Sequence, residues 1–159
     1  MKTPKFLKKK PNKKVVLVSG GFDPVHIGHV RMFNEAKRLG DYLIVLINND
    51  NWLALKKGYV FMPESERVEI IESFSSVDEV RLTSHKKGTN DLSVCDDLEI
   101  IRPDIFANGG DRFKKNIPEV KICRKIKCEM VFNVGLGGKV QSSSELVDKA
   151  KIAQEKFKK

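Results

Sequence analysis

The run Tyr42-Leu43-Ile44-Val45-Leu46-Ile47 restricts the fold more than any other stretch of this chain. Six apolar residues without polar alternation leave no face for water, so the segment reads as a strand covered on both sides by helices in a parallel sheet. Val15-Val16-Leu17-Val18 has the same character upstream. Between the two, residues 28–39 set Met32, Phe33, Ala36 and Leu39 on one helical face, with Gly40 where a helix stops. A strand, a helix and a strand in this order imply a right-handed crossover. Further along, residues 48–62 read as a loop, and Pro63 opens a helix with Val68, Ile71 and Phe74 facing the core. Residues 79–83, 105–107 and 130–133 read as three more strands, the first of them weaker, while 91–101 and 142–157 read as helices. Residues 121–127 fit either state. The alternation predicts an α/β, doubly wound, parallel five-stranded sheet with helices on both faces, in which ligands sit beyond the carboxyl ends of the strands.

Composition narrows the function classes. With 159 residues and 40% apolar content the chain has the size and make-up of one globular domain, here 15–159 behind a basic tail at 1–14. No stretch approaches the roughly 20 apolar residues that span a bilayer, so no membrane partner is expected. The formal charge of +9 resembles that of a nucleic-acid binder until it is located. Seven lysines and no acid fill residues 1–14, and five lysines against Glu155 fill 149–159. The body between is close to neutral, so the lysine blocks read as solvated tails and nucleic acid is not the expected partner. Cys95, Cys123 and Cys128 form no ladder of spacings and have no neighbouring His, which fits reduced thiols in a cytoplasmic protein rather than zinc or disulfides. The opening MKTPKFLKKK lacks the apolar core of a secretory signal.

The chemistry is concentrated after the first strand, in Ser19-Gly20-Gly21-Phe22-Asp23-Pro24-Val25-His26-Ile27-Gly28-His29. Paired glycines let the backbone approach a ligand and present its N–H groups. The turn feeds a helix N-terminus, where unpaired amides and the helix dipole favour an anion. His26 and His29 flank Gly28, so both rings can reach one cavity. Partly protonated beside a polyphosphate, they can donate to oxygens on which charge builds during transfer. The bland readings are surface histidines, or half of a metal site for which only His85 remains as a third ligand.

This string resembles the Gly-x-Phe-Asp-x-x-His-x-Gly-His signature of the cytidylyltransferase-like nucleotidyltransferase superfamily, and the resemblance runs from Val15 to about Lys151. Residues 39–45 followed by Asn48-Asn49-Asp50 are similar to glycerol-3-phosphate cytidylyltransferases and to heptose-1-phosphate adenylyltransferase domains. The resemblance implies a Rossmann-like sheet. It also implies phosphate binding by the loop Lys57 and the helix Arg67. Asn108-Gly109-Gly110-Asp111 looks like the nucleotide-contacting end of the fourth strand, and Ser142-Ser143-Ser144 like the hydroxyl segment that opens the last helix. Gly137 stands where several relatives carry Arg, a departure shared with heptose-type enzymes. By default Ser142 and Glu145 would simply form a capping box, Lys57 and Arg67 would be solvated, and Asp111 would be a turn residue.

The implied activity is transfer of a nucleoside monophosphate from CTP or ATP to a small phosphorylated sugar or polyol, heptose 1-phosphate-like in preference to glycerol 3-phosphate, with release of pyrophosphate. His26, His29 and Lys57 are the expected catalytic residues. Gly20, Gly21, Phe22, Asp23, Gly28, Arg67, Gly110, Asp111, Ser142, Ser143 and Ser144 are expected around the nucleotide. Mg²⁺ is expected on the triphosphate with few protein ligands, and analogy with relatives implies a homodimer. The competing class is a nucleotide- or RNA-binding module of the same fold without catalysis.

Overall fold

The computed structural model describes residues 12–110, 112, 117–135 and 141–158. Five strands, β1 (Val15–Gly20), β2 (Tyr42–Ile47), β3 (Glu79–Leu82), β4 (Ile105–Ala107) and β5 (Glu129–Val131), lie in the order β3-β2-β1-β4-β5. Every neighbouring pair is parallel. Parallel neighbours require crossovers, supplied by α1 (Ile27–Lys37), α2 (Asp50–Lys57), α3 (Glu64–Glu72), α4 (Cys95–Ile101) and α5 (Val120–Ile126), with α6 (Ser143–Phe157) closing the chain.

The period of two along the strands splits the core into two layers. Val16, Val18, Leu43, Val45 and Ile47 meet Phe33 and Ala36 of α1 and Ile71 of α3 on one face. Val15, Leu17, Ile44 and Leu46 meet Leu98 and Ile101 of α4 and Cys123 of α5 on the other. The expected Rossmann-like, doubly wound sheet is therefore present. β1 and β2 are in register from Val15 opposite Tyr42 to Gly20 opposite Ile47, so their carboxyl ends finish level, and Asn48 N–H donates to the Gly20 carbonyl at 2.8 Å. At the other end Asp104 accepts from Val15 N–H at 2.8 Å and ties the start of β1 to β4.

Several element readings need correction. The stretch expected to be a loop after β2 holds α2, capped by Asn49 accepting from Trp52 N–H and ended by Gly58 in the left-handed conformation. Helix α4 begins at Cys95 rather than 91 because Asp91 folds back to accept from Ser93 N–H. The ambiguous stretch is helical and stops at Lys127, at φ 59°. Strand β5 ends at Val131, two residues before Asn133 takes φ 56°. Among the described residues no helix is long and apolar enough to cross a membrane, and the three cysteines are free thiols.

Candidate functional site

Strands β1 and β4 end at the mouth of a cavity of about 290 Å³, lined among others by Ser19, Gly20, His26, His29, Asn108 and Ser142. The chain reaches it through a strained turn: Phe22 adopts φ 51°, in the left-handed region. Its ring packs edge-on against His29, with centroids 4.8 Å apart, and against Phe33 at 5.2 Å. Across the cavity Gly109 allows close approach, since an added Cβ would stand 2.8 Å from both Met32 Sδ and the Val134 carbonyl oxygen.

The two histidines form a reciprocal cap on α1. His26 is the N-cap, and its Nδ1 accepts from Gly28 N–H at 3.1 Å. His29 Nδ1 in turn accepts from His26 N–H at 3.2 Å. A neutral imidazole carries its proton on the nitrogen that is not accepting. Both rings are thereby fixed as Nε2–H tautomers, and no hydrogen bond within the described residues occupies either Nε2. The rings stack at 3.7 Å with 25° between planes. Burial lowers the pKa of His26, and burial together with the charges of His26 and Lys57 brings that of His29 from 6.5 down to about 3. In the free protein burial therefore favours neutral imidazoles; the partial protonation expected from the sequence is that beside a bound polyphosphate. Two oriented N–H donors beside a helix N-terminus suit a phosphate chain.

Other expected site residues divide sharply. Gly20, Phe22, Gly28, Gly110, Ser142 and Ser143 line the same cavity. Ser142 caps α6, accepting from Glu145 N–H at 3.5 Å, while Ser143 Oγ donates to the Pro24 carbonyl at 2.7 Å. Ser144 faces solvent outside the cavity, because a helix places adjacent residues on different sides. Asp111 lies outside the described residues, as does Gly137.

Arg67 and Asp23 are corrections. Arg67 is fully buried, and its guanidinium donates to the carbonyls of Gly21 (2.7 Å), Asn48 (2.6 Å) and Met62 (2.9 Å) and to Asp50 Oδ1 (2.6 Å). It is occupied within the fold rather than aimed at a nucleotide. Asp23 is likewise buried, and its carboxylate accepts from Phe61 N–H (2.8 Å) and Met62 N–H (2.6 Å). Gly21 does not line the cavity; its carbonyl serves Arg67, and a Cβ there would meet Leu53 at 3.0 Å. Lys57 Nζ donates to the Asp23 carbonyl at 3.1 Å, behind the histidine turn rather than in the cavity lining. Burial lowers its pKa, the Asp23 carboxylate opposes this, and the Arg67 charge adds to it.

Asn108, from the Asn-Gly-Gly-Asp string, lines the cavity as well, and so do Arg112 and Gln141, which carry no local signal in the sequence. Among the described residues no cluster of three or more His, Cys, Asp or Glu is disposed to hold a metal, and the cavity lining has no carboxylate. The donor set of the described residues fits phosphate oxygens.

Comparison with known proteins agrees with this geometry. The family model described as cytidylyltransferase-like matches residues 17–154. An FAD synthase of Ferroglobus placidus is 35% identical over 120 residues, 74% of each chain. The bifunctional protein HldE of Desulfatibacillum aliphaticivorans is 33% identical over 65% of this chain but only 20% of its own length. Among solved structures, a lipopolysaccharide core biosynthesis protein from Thermoplasma volcanium superposes with a TM-score of 0.61 at 26% identity, covering 77% of this chain and 98% of that one.

Proposed function

The chain belongs to the cytidylyltransferase-like nucleotidyltransferases, and from that membership we propose that it moves a nucleoside monophosphate from ATP or CTP onto a small phosphate monoester, releasing pyrophosphate. The observation that carries this reading is the stacked pair of neutral imidazoles at the N-terminus of α1, each with an Nε2–H that no hydrogen bond among the described residues occupies. The acceptor's phosphate oxygen attacks the α-phosphorus as the bond to the β-phosphate bridging oxygen breaks. Negative charge grows on the oxygens around the α- and β-phosphorus, and His26 and His29 donate there without needing to be ionised. Ser143 Oγ donates to the Pro24 carbonyl and has no base bonded to it among the described residues, so direct transfer without a covalent intermediate suits the residues present. Lys57 sits close enough to His29 to depress its pKa, and adds positive potential behind the turn. Mg²⁺ enters as part of the metal–triphosphate substrate.

For the acceptor we favour a sugar or polyol phosphate of the heptose 1-phosphate kind, supported by the Asn108-Gly109-Gly110-Asp111 string and by the likeness to HldE and the lipopolysaccharide core protein. A second reading, flavin mononucleotide as acceptor, draws on the FAD synthase match, which spans three quarters of both chains. Pyrophosphate release decides between them: each of the four triphosphates is incubated with heptose 1-phosphate, glycerol 3-phosphate or flavin mononucleotide. One triphosphate and one acceptor are expected to stand out together. Silence in every combination overturns the transfer reading.

A further inference from the structure

Helix α6 leaves the body of the protein after its first turn. Val147 is its one buried residue, and residues 148–158 are all exposed, Phe157 at 93%. A stretch of helix this short has little stability of its own in water, so the outer turns of α6 lack the packing that would hold them. Their residues are also sorted by face. Ala150, Ala153 and Phe157 recur at helical spacing along one stripe, Lys149 and Lys156 flank it, and Asp148 and Glu155 stand at the back. Helix α3 is the opposite in charge. Its Glu66, Glu69 and Glu72 are exposed, make no hydrogen bond or ion pair with any described residue, and surround Ile70, itself 38% exposed. The helix has no basic residue in its last turn, where Glu69 and Glu72 oppose the helix dipole. A cationic surface laid on this face would relieve both the mutual repulsion of the carboxylates and their conflict with the dipole. Lys151 Nζ lies 5.6 Å from the centre of the Tyr59 ring, which brings α6 beside the connection that enters α3.

We propose that α6 and α3 join two copies of this chain, each copy laying the outer turns of its α6 on the α3 of the other. Such a contact is two-fold and isologous, so the same pair of surfaces is buried twice. Phe157 packs against Ile70 of the partner subunit, while Lys149 and Lys156 face Glu66 of the partner subunit and Glu69 of the partner subunit. An apolar centre with a charged rim is the usual make-up of a protein interface. The charges also choose the register: α6 on α6, or α3 on α3, would bring like charges together. Analogy with relatives implies a pair without saying which surface joins it. The contact bears on the site as well. Helix α6 opens at Ser142 and Ser143, which line the first cavity, so fixing its far end steadies the cap there. Nothing in the pairing depends on which group is transferred.

Analytical ultracentrifugation of the full chain tests this. The unaltered protein is expected to sediment as a dimer that loosens as added salt screens the ion pairs. Phe157→Asp alters a side chain that is 93% exposed in the single chain. It should weaken pairing about tenfold or more, with the melting temperature of the dilute monomer unchanged. The reversed variants Glu66→Lys/Glu69→Lys and Lys149→Glu/Lys156→Glu should each sediment as monomers, because α6 and α3 then carry like charges. Mixed in equal amounts, the two should pair again, since every α6 then meets an α3 of opposite sign. Mixing repairs a charge mismatch and cannot repair a misfolded chain. An unaltered protein that stays monomeric up to millimolar concentration leaves the α6 face to another occupant and overturns the proposal. Pairing untouched by Phe157→Asp or by either reversal places the contact elsewhere and overturns it too. So does failure of the two reversed variants to pair when mixed.

Discussion

Two knots of polar side chains meet at the turn after β1, and they use their charges in opposite ways. In one, Arg67 and Asp23 direct every strong donor and acceptor inward: the guanidinium ties the Gly21, Asn48 and Met62 carbonyls to Asp50, and the carboxylate holds the backbone at Phe61 and Met62. In the other, among the described residues, His26 and His29 satisfy their Nδ1 atoms against backbone N–H groups and leave Nε2 free. The first knot closes the loop between α2 and α3 onto the histidine turn; the second presents donors to a ligand. Charge content alone does not distinguish the two knots. What distinguishes them is whether the backbone exposes enough carbonyls and amides nearby to absorb the side chain.

The comparison breaks most visibly at Arg67. Arg67→Ala removes a fully buried cation from four acceptors, and loss of a buried pair of this kind costs about 3–5 kcal/mol. For a chain of this size that is a fall in melting temperature on the order of 10 °C, measured by calorimetry. A variant that melts with the native protein but loses triphosphate affinity would return Arg67 to the nucleotide site. The histidine knot should behave in reverse. His26→Asn retains a side-chain acceptor for the helix cap but removes the Nε2–H, and His29→Ala removes the second donor. Each should lower kcat by about 10²–10³, with stability moving far less than in Arg67→Ala. Near-native turnover in both would mean that the rings are caps and nothing more.

Between these extremes lies Asp23. Asp23→Asn turns one of two carboxylate acceptors into a donor facing the Phe61 or Met62 amide. A lost buried bond of this type costs about 1–3 kcal/mol, and the loop it anchors carries no cavity residue. Thermal melting should therefore register the change while KM for the triphosphate stays near native. If KM moves more than stability does, the loop takes part in binding and the contrast between the knots is too sharp.

How much of this could be read from the residues alone follows the same division. Strands β1 and β2 are legible because continuous apolar runs have no alternative to double-sided burial. The weaker third strand is weak for a physical reason: β3 is an edge, and Glu79 and Arg81 pair with each other on it at 2.5 Å. Helix α2 was missed although its punctuation is present, with Asn49 as cap, two lysines in its last turn and Gly58 just beyond. Eight residues with one buried leucine give too little periodicity to announce a helix. The histidine cradle is local, with donors and acceptors within three residues, so spacing reveals it. The burial of Arg67 is not, because its partners come from three separate stretches of the chain, at Gly21, at Asn48 and Asp50, and at Met62.

The smallest expected effect tests the protonation state on which the contrast depends. Burial holds the folded-state pKa of His29 at about 3, below its ordinary 6.5, and moves His26 in the same direction. As acidity rises, the unfolded chain takes up a proton near pH 6.5 before the folded chain does. The stabilisation is thus complete above about pH 6.5 and is lost as pH falls from there towards 3. The melting temperature of the free protein should decline as pH drops from 7 to 5, more gently in His29→Ala, and nitrogen NMR at pH 7 should find protons on Nε2 and not on Nδ1. A bound triphosphate supplies the opposite charge that burial denies, so the pKa of His29 should rise on adding nucleotide. A free protein that gains stability on acidification through this window would have imidazolium rings as its resting donors. The two knots would then both be charged, and the difference between them would lie in geometry alone.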